Sequence, residues 1–292
     1  MPRISVIIPS YNRADFLRRA VISVLKQSYR DFDLWIADDG SEDGTEELVS
    51  RLKNASNRRD ISSMQPRIHY LRGANRGVSA ARNRAISQSN GEWIALLDSD
   101  DEWMGEKLER QLAFADSHWE YPLIHSDEIW IRDGRRVNAP ASYRKSGGNV
   151  FIKCLSLCMI SPSTALFTRG VFEEIGGFDE DFPVCEDYDF WLRLSSRYPV
   201  GYVNCPLTIK YGGHADQLSK SRPALDYWRI KSLCRILEIR PLNDEQRHAV
   251  LAEIARKSSI LLKGYHKHGR ESDVQELLTL VRNARCSSVF NC

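Results

Sequence analysis

The stretch GEWIALLDSDD, residues 91–101, runs five apolar residues, Trp93 to Leu97, straight into three carboxylates within four positions. An apolar run this short, bounded by glycine on one side and acids on the other, predicts a buried strand. Its carboxyl end is Asp98-Ser99-Asp100-Asp101. Acids this close repel one another unless something positive compensates, and a hard divalent cation with phosphate oxygens suits them. A helix N-terminus is the competing account, since acids favour its positive end and EKLERQLAF follows. That accounts for Asp101 and Glu102 but not for Asp98, which ends the strand directly.

Working outward, the same alternation recurs. Strands are predicted at Ile4 to Ile8, Asp33 to Ala37 and Ile68 to Leu71. Helices are predicted at Asp15 to Gln27, Ser41 to Lys53 and Gly77 to Ser89, and Asn54 to Pro66 reads as a polar loop. Strand–helix–strand repetition with short connections implies a parallel sheet covered on both faces. Ligands of such sheets bind beyond the carboxyl ends of the strands. Those ends carry Pro-Ser-Tyr-Asn, Asp-Asp-Gly-Ser and Asp-Ser-Asp-Asp. The middle third is more irregular, with strands expected at Leu123 to His125, Ile129 to Ile131 and Tyr202 to Val203, and a helix around Asp187 to Ser196. After Pro223 only helices are expected, at Leu225 to Glu238, Asp244 to Tyr265 and Ser272 to Arg282. The chain is therefore divided into an α/β domain at 1–220 and a helical appendage at 221–292.

Composition sets the bounds. The chain has 292 residues, 42% hydrophobic and 27% charged, enough for a full core. A net charge of +2 gives no argument for nucleic acid or an anionic membrane. Seven cysteines form no CxxC pair and no zinc-type cluster, which reads as idle thiols in a reducing compartment. MPRISVIIPSYNR lacks the layout of a signal peptide, and no stretch approaches the ~18 apolar residues of a spanning helix. The expectation is a cytoplasmic protein, with peripheral contact at the inner face of the membrane left open.

Other chemistry-bearing clusters are weaker one by one. Asp38-Asp39 could accept hydrogen bonds from a base or ribose, but equally caps a helix. Glu186-Asp187 opens a helix whose dipole favours both charges, and a carboxylate aimed into a cleft suits a general base. His214 follows two glycines, which permit close backbone approach to a ligand. Arg13, Arg76, Arg82 and Arg84 lie near strand ends, where guanidinium groups bind phosphate, although a solvated surface role fits at least half of them. GxGxxG after the first strand, GxxxxGK[ST], GxSxG and HExxH are all absent.

Taken together, VIIPSYNR (6–13), WIADDGSEDGT (35–45), NRGVSAARNRAI (75–86), GEWIALLDSDD (91–101), FEEIGGFDE (172–180) and EDYDFWLRL (186–194) resemble glycosyltransferase family 2, inverting enzymes of the GT-A fold. The resemblance runs over about Ile4 to Ser219 and leaves the helical tail outside. Six modest motifs in order are specific. The resemblance implies a Rossmann-like, mostly parallel sheet, a nucleotide-sugar donor such as a UDP-sugar, and Mn²⁺ or Mg²⁺. It implies nucleotide binding by Pro9, Tyr11, Arg13, Asp39, Arg76, Arg82, Asp98 and Ser99, metal ligation by Asp100 and His214, and Asp187 as general base. Glu186 and Trp191 are candidates for the acceptor side, with core packing the alternative for Trp191. The acceptor would be a glycan, a lipid-linked sugar or a protein glycan, and no nucleic acid is expected. The QxxRW motif of processive members is absent, so transfer of one or a few sugars is expected. The tail could serve a homodimer, a membrane surface or a partner. A sugar-phosphate nucleotidyltransferase and a non-catalytic sugar-nucleotide binder are the competing functions.

Overall fold

The computed structural model describes residues 1–57, 66–213, 224–239 and 241–289. In chain order the elements begin with β1 (Ile4–Ser10), α1 (Ala14–Leu25), β2 (Phe32–Asp38), α2 (Thr45–Asn57), β3 (Ile68–Arg72), α3 (Val78–Gln88) and β4 (Trp93–Leu96). Then come β5 (Glu102–Trp103), α4 (Lys107–Ser117), β6 (Leu123–Arg132), β7 (Arg135–Val137), α5 (Phe151–Ser156), β8 (Leu166–Thr168), α6 (Arg169–Ile175), α7 (Glu186–Ser195) and β9 (Gly201–Gly212). The tail holds α8 (Leu225–Ile239), α9 (Asp244–Lys267) and α10 (Glu271–Val289).

One sheet runs in the order β3-β2-β1-β4-β8-β6-β9-β5, with β7 paired to β6. The first four positions are parallel, as the strand–helix alternation predicts. Beyond β4 the sheet is mixed: β8 runs antiparallel to both β4 and β6, while β9 returns parallel to β6. The two short strands expected at 123–125 and 129–131 are one continuous strand, β6. Its pairing with β9 shifts register on both sides of Asp127, where the extra residues belong to β9. Such irregularities add residues to one strand without ending the ladder.

Side chains of β1 show how the sheet makes two cores. Ile4, Val6 and Ile8 point to one layer, packed by Leu17, Val21 and Val24 of α1. Ile7 points to the other, with Ala81 and Ala85 of α3. Alternation on a strand buried on both faces requires this. Gly91 closes the turn into β4, where an added Cβ would lie 2.4 Å from the Ser5 amide nitrogen.

The three tail helices lie against the second layer. Ile230, Leu233 and Leu237 of α8, Ile254 of α9 and Leu277 of α10 share one hydrophobic cluster with Phe190 and Trp191 of α7. Asn243 and Gln246 cap α9 reciprocally. Lys257, 2% exposed, donates to the Ser156 carbonyl at 2.9 Å and to Asp226 at 3.1 Å, joining α9 to α5 and α8. No helix among the described residues is long and apolar enough to cross a membrane.

Candidate active site

The strand ends gather around a cleft of about 770 Å³, lined by Pro9, Tyr11, Arg13, Asp39, Arg82, Asp98, Ser99, Asp100, Glu186 and Asp187 among others. Ten of the thirteen residues named with the family resemblance therefore lie in one place. Of the remaining three, Arg76 turns outward to Glu180 at 2.8 Å with 69% of its side chain exposed, and only its amide faces the site. Trp191 is 1% exposed, packed on Phe167 and Phe190, and its indole N–H finds no partner among the described residues. It packs the core, the alternative that the sequence left open. Position along the helix explains this, because α7 starts at the cleft, so Glu186 and Asp187 in its first turn line it, whereas Trp191 lies one turn deeper, against Phe167 and Phe190. His214 lies outside the described residues.

Local hydrogen bonds hold the strand ends in register. Asn12, at φ 50°, donates its amide to Ser41 Oγ at 2.9 Å and accepts from the Glu42 amide at 2.8 Å. Asn tolerates that left-handed backbone. Asp39 accepts from the amides of Arg76 at 3.0 Å and Gly77 at 2.8 Å, one on each carboxylate oxygen. It thus fastens the end of β2 to the N-terminus of α3, a wider reach than the local cap that the sequence suggested.

Arg82 joins the two acidic motifs. It is 2% exposed, and its guanidinium donates to Asp98 at 2.7 Å and to Glu186 at 2.6 Å. Burial opposes its charge, but the two carboxylates outweigh burial and hold its proton more firmly than usual. Glu186 is pushed up to about 7, by burial first and by neighbouring Asp187 next, against the pull of Arg82. Asp187 is half-buried; its Oδ1 accepts from the Tyr188 amide at 2.7 Å and its Oδ2 from the Cys158 thiol at 3.3 Å.

The strand-end acids differ in role. Asp100 meets Arg13 at 3.0 Å at the mouth of the cleft, and the Asp100 carbonyl accepts from Arg19 at 2.7 Å. Asp101 is 2% exposed and accepts from Ser163 Oγ at 2.6 Å and the Tyr211 amide at 3.0 Å. Burial and the charges of Asp100 and Asp98 raise its pKa well above the usual carboxylate range. Asp101 therefore secures the turn, whereas Asp98 and Asp100 border the open space. Among the described residues no three His, Cys, Asp or Glu side chains converge as a complete metal cage. The oxygen donors still fit a hard cation, because Mg²⁺ is commonly held by one or two carboxylates with water and phosphate completing its shell.

Several lining residues carried no signal in the sequence. Lys210 of β9 lies beside Trp130 of β6 in the parallel register. Its charge is opposed by burial but strengthened overall by Glu128, Asp101 and Asp98. Glu128 and Lys145 form an ion pair at 3.2 Å, both side chains 4% exposed. Burial disfavours the Glu128 charge, but Lys145 and Lys210 together bring its pKa down to about 2. Lys145, buried and sharing that carboxylate, holds its proton less firmly than a free lysine. Leu225 and Arg229 of α8 also line the cleft, so the helical tail contributes to its wall. The alternation Glu128-Ile-Trp130-Ile-Arg132 was the only visible hint of any of these.

Comparison with known proteins agrees with this geometry. The profile of glycosyl transferase family 2 matches residues 5–176, and that of glycosyltransferase like family 2 matches residues 149–238. An uncharacterized glycosyltransferase of Rickettsia felis is 34% identical over 212 residues, covering 70% of this chain and 32% of that protein. The putative teichuronic acid biosynthesis glycosyltransferase TuaG of Bacillus subtilis is 36% identical over 166 residues, 53% of this chain and 61% of TuaG. The chain spans about a third of the length of the first curated relatives it matches. The crystal structure of S. aureus TarS 1–349 in complex with UDP-GlcNAc superposes with a TM-score of 0.74 at 18% identity, over 99% of this chain and 89% of that one. The fold is thus the GT-A fold. With a family profile covering residues 5–176, the chain belongs to glycosyl transferase family 2.

Proposed function

We propose that the protein is an inverting glycosyltransferase that moves a sugar from a nucleoside diphosphate, a UDP-sugar first among donors, to a hydroxyl acceptor. The observation that carries this reading is the Arg82 bridge, which sets Asp98 at the end of β4 and the Glu186-Asp187 pair of α7 across one cleft. Pro9, Tyr11 and Asp39 border the base and ribose end. Arg13, Asp98, Ser99 and Asp100 border the diphosphate. When bound, Mn²⁺ or Mg²⁺ supplies positive charge against the leaving diphosphate, and Asp100 is the residue that would hold it.

The chain's own groups then account for the transfer. Asp187 accepts the proton of the acceptor hydroxyl as that oxygen bonds to the anomeric carbon. The bond from that carbon to the phosphate oxygen breaks, and its electron pair leaves with the nucleoside diphosphate. A single displacement on the opposite face inverts the anomeric centre, through a state of oxocarbenium character. The Cys158 thiol and the Tyr188 amide fix the Asp187 carboxylate, so one rotamer faces the cleft. Glu186, buried and paired with Arg82, positions the helix start without contacting the acceptor. Lacking QxxRW, the enzyme transfers one or a few sugars, and mass spectrometry of the product would reveal a long homopolymer if that is wrong.

The test separates three activities. Free nucleoside diphosphate from a nucleotide sugar marks glycosyl transfer, pyrophosphate marks nucleotidyl exchange, and binding with neither product marks a non-catalytic protein.

A further inference from the structure

Since Trp191 packs the core and Glu186 is paired with Arg82, the acceptor side of the cleft falls to other residues. Strand β6 supplies them. Alternate residues of a strand share a face, and Glu128, Trp130 and Arg132 all line the cleft. Strand β9 sets Lys210 directly beside Trp130, and Lys210 is also close enough to Asp187 for the carboxylate to favour its charge.

Trp130 is fixed in orientation although its ring is only half-buried. Its Nε1 donates to Glu128 Oε1 at 2.7 Å, and Ser161 Oγ donates to the same oxygen at 3.1 Å. The other Glu128 oxygen holds Lys145 at 3.2 Å. Tyr143 meets the indole edge-on, with centroids 5.3 Å apart at 68°, and the Arg132 guanidinium lies 5.4 Å from the ring. A buried ion pair spent on orienting one cleft-facing indole is a preorganised binding surface. Glu128, Trp130, Tyr143 and Lys145 also line a second hollow of about 500 Å³ beside the β6–β7 hairpin. The aromatic pair therefore sits where a groove continues out of the cleft.

A pyranose ring offers a face of C–H groups and a rim of hydroxyls. The face suits an indole, and the rim suits donors such as Arg132 and Lys210. We propose that Trp130, flanked by Tyr143 and oriented by the Glu128–Lys145 pair, is the platform on which the terminal pyranose of the acceptor stacks, with the rest of the acceptor leaving along the second hollow. This rests on the glycosyltransferase reading above. It assigns the acceptor class as a carbohydrate, in preference to a protein hydroxyl or a simple alcohol.

The test measures transfer from UDP-GlcNAc, UDP-glucose and UDP-galactose to a panel of p-nitrophenyl pyranosides, with p-nitrobenzyl alcohol as the non-sugar control. In Trp130→Ala the KM for the pyranoside should rise about tenfold with the donor KM changed less than about twofold, and Tyr143→Ala should give a smaller rise of the same kind. Tyr143 is half-buried in a short turn outside the sheet, so that variant keeps the test if Trp130→Ala does not fold. An unchanged pyranoside KM in both variants overturns the platform. So does wild-type protein that releases nucleoside diphosphate from a donor but transfers to the alcohol as well as to any pyranoside. Wild-type protein that releases no nucleoside diphosphate from any donor and binds no nucleotide instead overturns the glycosyltransferase reading, and the platform with it.

Discussion

The Arg82 guanidinium donates to Glu186 at 2.6 Å, with only 3% and 5% of the two side chains exposed. The same group holds Asp98, so α3, the end of β4 and the start of α7 meet at one buried cation. Arg82→Met should lower stability by about 3–5 kcal/mol in denaturant unfolding, because Glu186 is left buried without a counter-charge. The double variant Arg82→Met/Glu186→Gln should recover part of that loss, as coupled neighbours do. A loss in the double variant equal to the sum of the losses in Arg82→Met and Glu186→Gln alone would show the pair to be uncoupled.

Asp39 engages two backbone amides, of Arg76 and Gly77. Asp39→Ala should therefore cost about 1–3 kcal/mol of stability and also weaken nucleotide binding, since the loop at the head of α3 loses its fastening. Unfolding and calorimetric titration with UDP measure the two effects. Weaker UDP binding with unchanged stability would mean that Asp39 acts on the nucleotide alone.

His125 is wholly buried, its Nε2 within 2.9 Å of the Ser146 carbonyl, and burial followed by the nearby Lys145 charge depresses its pKa to about 3. The folded state thus binds this proton less readily than the unfolded chain, whose histidine titrates near 6.5. The stability from a neutral His125 is present above about pH 6.5 and is lost as pH falls toward 3. Between pH 7.5 and 5.0 the wild type should lose about 2 kcal/mol that His125→Gln does not. Parallel losses in both proteins would place the acid sensitivity elsewhere.

Much of this arrangement was legible in the sequence because strand ends are local. An apolar run that stops at Asp98 or Asp38 says where a parallel strand ends, and parallel strands bring their ends together. Asp187 was legible for the same reason, as an acid at a helix start. The opposite wall was not. Glu128 and Lys210 are distant in sequence and become neighbours only through the β6–β9 pairing, while Lys145 reaches Glu128 from the loop after β7. Trp191 misled in part because proximity to an acidic pair suggests a site, whereas one turn beyond the start of α7 the helix is already inside the core. The tail was read as helical; its first two helices agree closely, and the third runs on past the expected Arg282 to Val289. That Arg229 reaches the cleft depends on how α8 packs on α7, which no local pattern encodes.

Metal dependence should separate Asp100 from Asp101. Asp100→Ala should raise the Mn²⁺ concentration needed for half-maximal turnover by about tenfold or more with little change in stability, because Asp100 borders open space. Asp101→Ala should instead destabilise the fold, since it removes the acceptor of Ser163 and of the Tyr211 amide. A manganese titration alongside thermal unfolding of both variants checks this, and interchangeable phenotypes would contradict it.

The most direct measurement is release of free nucleoside diphosphate from a panel of nucleotide sugars, with Mn²⁺ and with EDTA, by wild type and Asp187→Asn. The account predicts metal-dependent release from one donor, reduced about 10²- to 10⁴-fold in Asp187→Asn while calorimetry shows the nucleotide still bound. Release of pyrophosphate instead, or equal turnover by the two proteins, or no nucleotide binding with metal present, would contradict it.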